Sequence, residues 1–130
     1  MTSAADVEFQ LLLVEDHPQL RKILSQALQA EGFRVCAAAT ATEAMQHFSD
    51  GFAADLLLSD IRMPGPVDGL RLAQWVREHY PHVAILLQTG FSETDQSEFQ
   101  VLRKPFEAQE LMDAIHRALA DRAAAPVNQT

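Results

Sequence analysis

A single cysteine, Cys36, serves the whole chain, so no intrachain disulfide can brace it; this fits a reducing compartment. No apolar run approaches the roughly 20 residues that span a bilayer. The first residues, Met1-Thr2-Ser3-Ala4-Ala5-Asp6, lack the basic start and apolar core of a signal peptide. Basic charge is scarce as well: 10 Lys and Arg stand against 18 Asp and Glu, a formal charge of −8. The chain has no evident means of holding nucleic acid by neutralising phosphates. A cationic ligand, a metal or a protein partner suits it better. There is no internal repeat and no low-complexity tract. His47, His79, His82 and His116 are scattered and form no ligand set, and His17 reads as a residue at a helix start.

What is present is an ordinary globular composition, 48% apolar and 22% charged over 130 residues, enough for one domain with a sizeable core. Leu11-Leu12-Leu13-Val14 is an all-aliphatic run that ends in Glu15-Asp16, and Leu56-Leu57-Leu58 is another that leads through Ser59 to Asp60. Both read as strands buried on two faces. Pro18 opens a helix over 18–30, with Leu20, Ile23, Leu24, Ala27 and Leu28 at helical spacing and Gly32 as its stop. Residues 34–38 make a short strand. Thr40 and Glu43 have capping-box spacing ahead of a helix that reaches Phe48 or Ser49. Leu70, Leu72, Ala73 and Val76 mark a third helix over 69–79, ended by Tyr80-Pro81. Residues 83–88 form a fourth strand leading into Thr89-Gly90, and Val101-Leu102-Arg103 a fifth leading into Lys104-Pro105. Leu111, Ala114, Ile115, Ala118 and Leu119 stripe the last helix. Residues 1–8 and 122–130 read as disordered ends around a domain at 9–121, with no output domain legible before or after it. Cys36, Met45 and Trp75 read as packing residues.

Strands alternating with helices imply an α/β fold, a parallel sheet covered on both faces. Right-handed crossovers favour the doubly wound, flavodoxin-like five-strand order 2-1-3-4-5, with ligands collecting at the carboxyl ends of the strands. That order brings Glu15, Asp16 and Asp60 to one crevice. Two like charges 4 Å apart repel by about 4 kcal/mol at an effective dielectric near 20, so three carboxylates call for a proton or a cation. Oxygen donors suit a hard divalent ion such as Mg²⁺. Thr89 adds a hydroxyl and Lys104 an ammonium at neighbouring strand ends. Together these groups suit a tetrahedral dianion, with a carboxylate placed to attack phosphorus.

Four blocks, Leu-Leu-Val-Glu15-Asp16-His17-Pro18, Leu-Leu-Leu-Ser-Asp60-Ile-Arg-Met-Pro64, Leu-Leu-Gln-Thr89-Gly90 and Arg-Lys104-Pro105-Phe106, resemble those of a CheY-like response-regulator receiver domain over about residues 9–120. The resemblance implies that Asp60 accepts a phosphoryl group from a histidine kinase or a phosphotransfer protein. It implies Mg²⁺ held by Asp16 directly, by Glu15 partly through water, by Asp60 and by the Arg62 carbonyl. Thr89 and Lys104 would hold the phosphoryl oxygens, and Lys104-Pro105 would be a cis peptide. It further implies a bacterial cytoplasmic signalling domain, monomeric or weakly dimeric. Such a domain catalyses nothing but its own phosphorylation and dephosphorylation. The Arg62 side chain could cover the phosphoryl group or point to solvent.

Departures from the family pattern fall between Thr89 and Lys104. Family members place a full helix, their fourth, between strands 4 and 5, whereas only 15 positions separate the two residues here. At most one helical turn is expected over 91–98, with a loop otherwise. The aromatic switch residue common three positions before the lysine is replaced by Val101, and the nearest aromatics are Phe91 and Phe99. The shortened segment is similar to that of receivers attached to hybrid sensor kinases. Two other readings stay open: a pseudo-receiver that binds partners without turning over phosphate, and a hydrolase with an aspartyl nucleophile. The hydrolase would ordinarily need a second acid where Arg62 stands.

Overall fold

The computed structural model describes residues 8–90 and 98–124. Each expected strand forms: β1 (Gln10–Val14), β2 (Arg34–Ala38), β3 (Leu56–Asp60), β4 (Ala84–Thr89) and β5 (Gln100–Arg103). All neighbours pair in parallel, in the order β2-β1-β3-β4-β5. This is the doubly wound order expected from the alternation of elements. Among the described residues the helices are α1 (Pro18–Ala30), α2 (Ala41–Ser49), α3 (Gly69–His79) and α4 (Ala108–Ala124).

The sheet divides the apolar interior in two. Leu11, Leu13, Leu56, Leu58 and Leu86 face α1 and α4, where Leu24, Leu28, Leu111, Ile115 and Leu119 close over them. Leu12, Val14 and Leu57 face α2 and α3 and meet Ala44, Phe48, Leu72 and Val76. Cys36, Met45 and Trp75 pack against this second cluster, as their sequence context suggested. Phe48 stacks on Tyr80 with ring centroids 4.8 Å apart and meets Trp75 edge-on at 6.0 Å.

Local chemistry sets the helix starts. Thr40 Oγ1 accepts the Glu43 amide at 3.1 Å, which fills one half of the capping box, and the Glu43 carboxylate reaches back one residue past the N-cap to accept the Ala39 amide. Asp68 Oδ1 caps α3 by accepting the Arg71 amide at 2.9 Å.

Two boundary readings need correction. The tail placed at 122–130 begins too early, because α4 continues to Ala124. Arg122 holds that end down: its Nη1 donates to the Asp55 carbonyl at 3.1 Å and lies 3.3 Å from Asp55 Oδ1. Asp55 Oδ2 also accepts the Gln10 amide at 2.7 Å. The α1 stripe is also narrower than its spacing implied, since Ile23 is 61% exposed and Ala27 is exposed. α1 turns one row of residues four apart to the sheet, with Leu24 and Leu28 buried and Leu20 partly so. Positions three apart sit about 60° round the helix from that row. Residues 1–7, read as a disordered start, lie outside the described residues. So do 91–97, which carry the one-turn expectation and Phe91.

Candidate functional site

The carboxyl ends of β1, β3, β4 and β5 converge on one cavity of about 280 Å³, lined by Glu15, Asp16, Asp60, Gln88, Thr89 and Lys104 among others. The sheet register explains the convergence. Asp60 pairs with Gln88, and Thr89 with Arg103, the residue before the lysine. The Glu15 amide donates to the Ala38 carbonyl at 3.0 Å, which carries the chain one residue past β1 before it turns. Two further bonds hold that turn. The His17 amide donates to Glu15 Oε2 at 3.1 Å, and Arg21 Nη1 donates to the Glu15 carbonyl at 2.9 Å. His17 is the N-cap of α1 and makes no side-chain cap bond, so it is a helix-start residue that also borders the cavity.

Glu15 and Asp60 are buried, 1% and 5% exposed, while Asp16 is open to solvent. One carboxylate oxygen from each of the three lies within 4.8 Å of the others. Lys104 Nζ is 2.9 Å from Asp60 Oδ1 and 3.7 Å from Glu15 Oε1. The Lys104–Pro105 peptide is cis. Burial alone would lower the lysine's pKa, but the hydrogen bond and charge of Asp60, aided by Glu15 and Asp16, outweigh it and leave it raised. Glu15 is pushed up from 4.5 to about 7. Burial is the main cause, followed by the hydrogen bond to Asp60 and its charge. The His17 amide and Lys104 pull the other way. One ammonium thus does not offset two buried carboxylates, and a proton or a second positive charge is needed at neutral pH. An oxygen-only donor set with two buried members and one open to water fits a divalent ion that keeps part of its hydration shell.

Thr89 is the last residue of β4 and is buried at the cavity wall. Arg62 is exposed and also lines the cavity. Of the residues read as a switch, Phe99 is buried against Ala73 and Leu87 with the Arg77 guanidinium 4.3 Å from its ring centroid, and Val101 packs half-buried in the same group. A larger cavity, about 540 Å³, opens at the other end of β4 and β5 between Arg77, Phe99 and Arg122 and holds none of the three acids.

Two residues that position the site were not singled out by sequence. Gly69 starts α3 directly against the β3 exit: its amide donates to the Ile61 carbonyl at 2.8 Å, and a Cβ there would lie 1.9 Å from the Asp60 carbonyl oxygen. A glycine at the start of a helical stripe, where a better helix former would serve, is the sequence signal that could have marked this approach. Gln88 is fully buried beside Asp60, where an otherwise aliphatic strand turns polar one residue before Thr89.

A family model described as the response regulator receiver domain matches residues 11–116. Among curated proteins the chain is 35% identical over 115 residues to the C4-dicarboxylate transport transcriptional regulatory protein DctD of Rhizobium meliloti, covering 83% of this chain and 25% of that protein. It is 37% identical over 114 residues to the response regulator protein FleR of Pseudomonas aeruginosa, covering 82% and 24%. The chain therefore spans about a quarter of the length of these relatives. Among solved structures, a response regulator receiver protein from Sinorhizobium medicae superposes with a TM-score of 0.80 at 28% identity, covering 88% of this chain and 97% of that one. The response regulator TrrA of Thermotoga maritima, solved with Mg²⁺-BeF, superposes with a TM-score of 0.76 at 30% identity, covering 85% and 98%. The five-stranded order, the acids at the ends of β1 and β3 and the lysine after β5 agree with these matches, and the chain belongs to the response regulator receiver domain family.

Proposed function

We propose that this domain takes a phosphoryl group from a phosphohistidine onto Asp60 in a Mg²⁺-dependent step and signals by the change that follows. The observation that carries the reading is the 2.9 Å contact of Lys104 Nζ with Asp60 Oδ1 inside the cluster of Glu15, Asp16 and Asp60 oxygens. The relative solved with Mg²⁺-BeF supports it, because beryllofluoride is a tetrahedral stand-in for a phosphoryl group. Glu15, Asp16, Asp60 and the Arg62 carbonyl would hold the cation. When bound, it supplies positive charge to the phosphoryl oxygens.

The chain's own groups do the rest. The carboxylate of Asp60 attacks phosphorus, the P–N bond to the donor histidine breaks, and the imidazole leaves with the bonding pair. Lys104 holds one carboxylate oxygen beforehand and turns its donors to the phosphoryl group afterwards. The Thr89 hydroxyl donates to a second phosphoryl oxygen. The product is a mixed anhydride, which water cleaves, so the signal decays. The donor is a histidine kinase or phosphotransfer protein in a bacterial cytoplasm, and the domain acts as a monomer or weak dimer. The relatives above bear names of transcriptional and response regulators, which lend nothing to the hybrid-kinase subtype.

Labelling with radioactive acetyl phosphate tests the reading. Label is expected on the wild-type chain with Mg²⁺ and not in EDTA, and Asp60→Asn is expected to take none. Label that survives in Asp60→Asn refutes the assignment of the acceptor. Its absence from the wild-type chain favours a pseudo-receiver.

A further inference from the structure

Gln88 is a fully buried polar residue of the cavity lining that the phosphoryl chemistry leaves unused. β4 is apolar through Ala84, Leu86 and Leu87, all buried, and then places Gln88 at 0% exposure. Gln88 pairs with Asp60 on one side and with Leu102 on the other. Paired residues of parallel strands project from the same face, so the carboxamide lies on the face that bears Asp60. Lys104 follows β5 while Asp60 ends β3, and β4 runs between them. The lysine side chain therefore crosses β4 to make its 2.9 Å contact, with Gln88 at that crossing.

Among the described residues, three buried side-chain atoms make no hydrogen bond: Glu15 Oε1 and both amide atoms of Gln88. All belong to residues lining the same cavity. Burying a carboxamide without partners is unfavourable, and a methionine or leucine of similar volume would avoid the penalty. The three atoms are complementary in kind, since the amide nitrogen donates while its oxygen and the Glu15 oxygen accept. Glu15 Oε2 is already fixed by the His17 amide, so Oε1 is the end of that carboxylate left to be oriented. Its one ion-pair partner among the described residues is Lys104 at 3.7 Å, too long for a hydrogen bond, and its other charged neighbours, Asp16 and Asp60, are acids that repel it.

We propose that Gln88 is a positioning residue for the divalent cation. Its amide nitrogen holds Glu15 Oε1, directly or through one water of the ion's hydration shell, in the orientation in which Glu15 faces the ion. Partners behind metal-ligating carboxylates commonly fix ligand orientation in this way. The inference rests on the cation reading above and adds to it a residue outside the acidic cluster.

Calorimetric titration with Mg²⁺, paired with thermal melting in EDTA, tests it on wild type, Gln88→Met and Gln88→Leu. Gln88→Met is expected to melt at or above the wild-type temperature in EDTA, because an unpartnered amide is gone, and to bind Mg²⁺ about tenfold more weakly. A role in packing alone would leave the affinity where it was. Mg²⁺ affinity within twofold of wild type in a folded variant overturns the proposal. So does a lower melting temperature for both variants in EDTA, which means that the amide is already satisfied without the ion. Wild-type protein that takes up no Mg²⁺ overturns the cation reading itself, and the role of Gln88 with it.

Discussion

Replacing Glu15 by Gln should make the metal-free protein more stable at pH 8. Glu15 is buried beside Asp60, and its pKa is raised from 4.5 to about 7. Folding therefore favours the protonated form. At pH values below 4.5 the folded and unfolded chains both hold the proton, and the group contributes no pH dependence. Between 4.5 and 7 the unfolded chain releases it while the folded chain keeps it, so stability falls as pH rises and levels off above 7. At about 1.4 kcal/mol per pH unit the full loss is on the order of 3 kcal/mol. Gln keeps the shape, can still accept the His17 amide and does not titrate. It gives up the attraction of Lys104, which reduces the gain, so Glu15→Gln is expected to gain about 1–3 kcal/mol at pH 8. That advantage shrinks toward zero as pH falls to 4.5. Urea unfolding in EDTA at several pH values, followed by the fluorescence of the single Trp75, measures it. Saturating Mg²⁺ should cancel most or all of that advantage, because an ion at 100 times its Kd adds about 2.7 kcal/mol to the chain that binds it. A variant no more stable than wild type at pH 8 in EDTA would show that the two buried acids are not in conflict and would refute the reasoning.

Gly69→Ala places a methyl group 1.9 Å from the Asp60 carbonyl oxygen, so α3 or the β3 exit must move. A loss of about 1–3 kcal/mol, or more, is expected, together with weaker acetyl phosphate labelling; unchanged urea midpoint and labelling would show that the approach is not tight. Arg122→Ala removes the bond to the Asp55 carbonyl and the 3.3 Å ion pair. The pair is partly exposed, so about 1 kcal/mol is expected, with faster amide exchange in the last turn of α4 and labelling unaffected; wild-type exchange rates there would rule out the anchor.

β1, β3 and β4 were legible because each is a short aliphatic run leading into polar residues, and in a doubly wound fold those polar ends are the site. Asp60, Asp16 and Lys104 could thus be placed together from topology alone. Thr40 and Glu43 were equally legible, because a capping box is local and needs no neighbour. What the chain conceals is what depends on distant partners. Arg122 looks like part of a polar tail until Asp55, 67 positions away, is brought beneath it. Ile23 has helical spacing, but only the way α1 is turned on the sheet leaves it outside. Gly69 reads as a weak helix residue, and the reason for it is the backbone of Asp60, which spacing does not reveal. Gln88 ends a strand plausibly enough, and only full burial makes its polarity conspicuous.

The partition of the interior by the sheet has a practical consequence for mutagenesis. Glu15, Asp60 and Gln88 share the side that α1 and α4 cover, whereas Phe48, Trp75 and Tyr80 form a separate group under α2 and α3. Changes in groups that share no partner combine additively. Phe48 and Tyr80 can therefore be retuned for thermal tolerance separately from the three acids, provided that the start of α3 stays where Gly69 meets the Asp60 carbonyl. Trp75 belongs to that aromatic group and, as the single tryptophan, reports its unfolding.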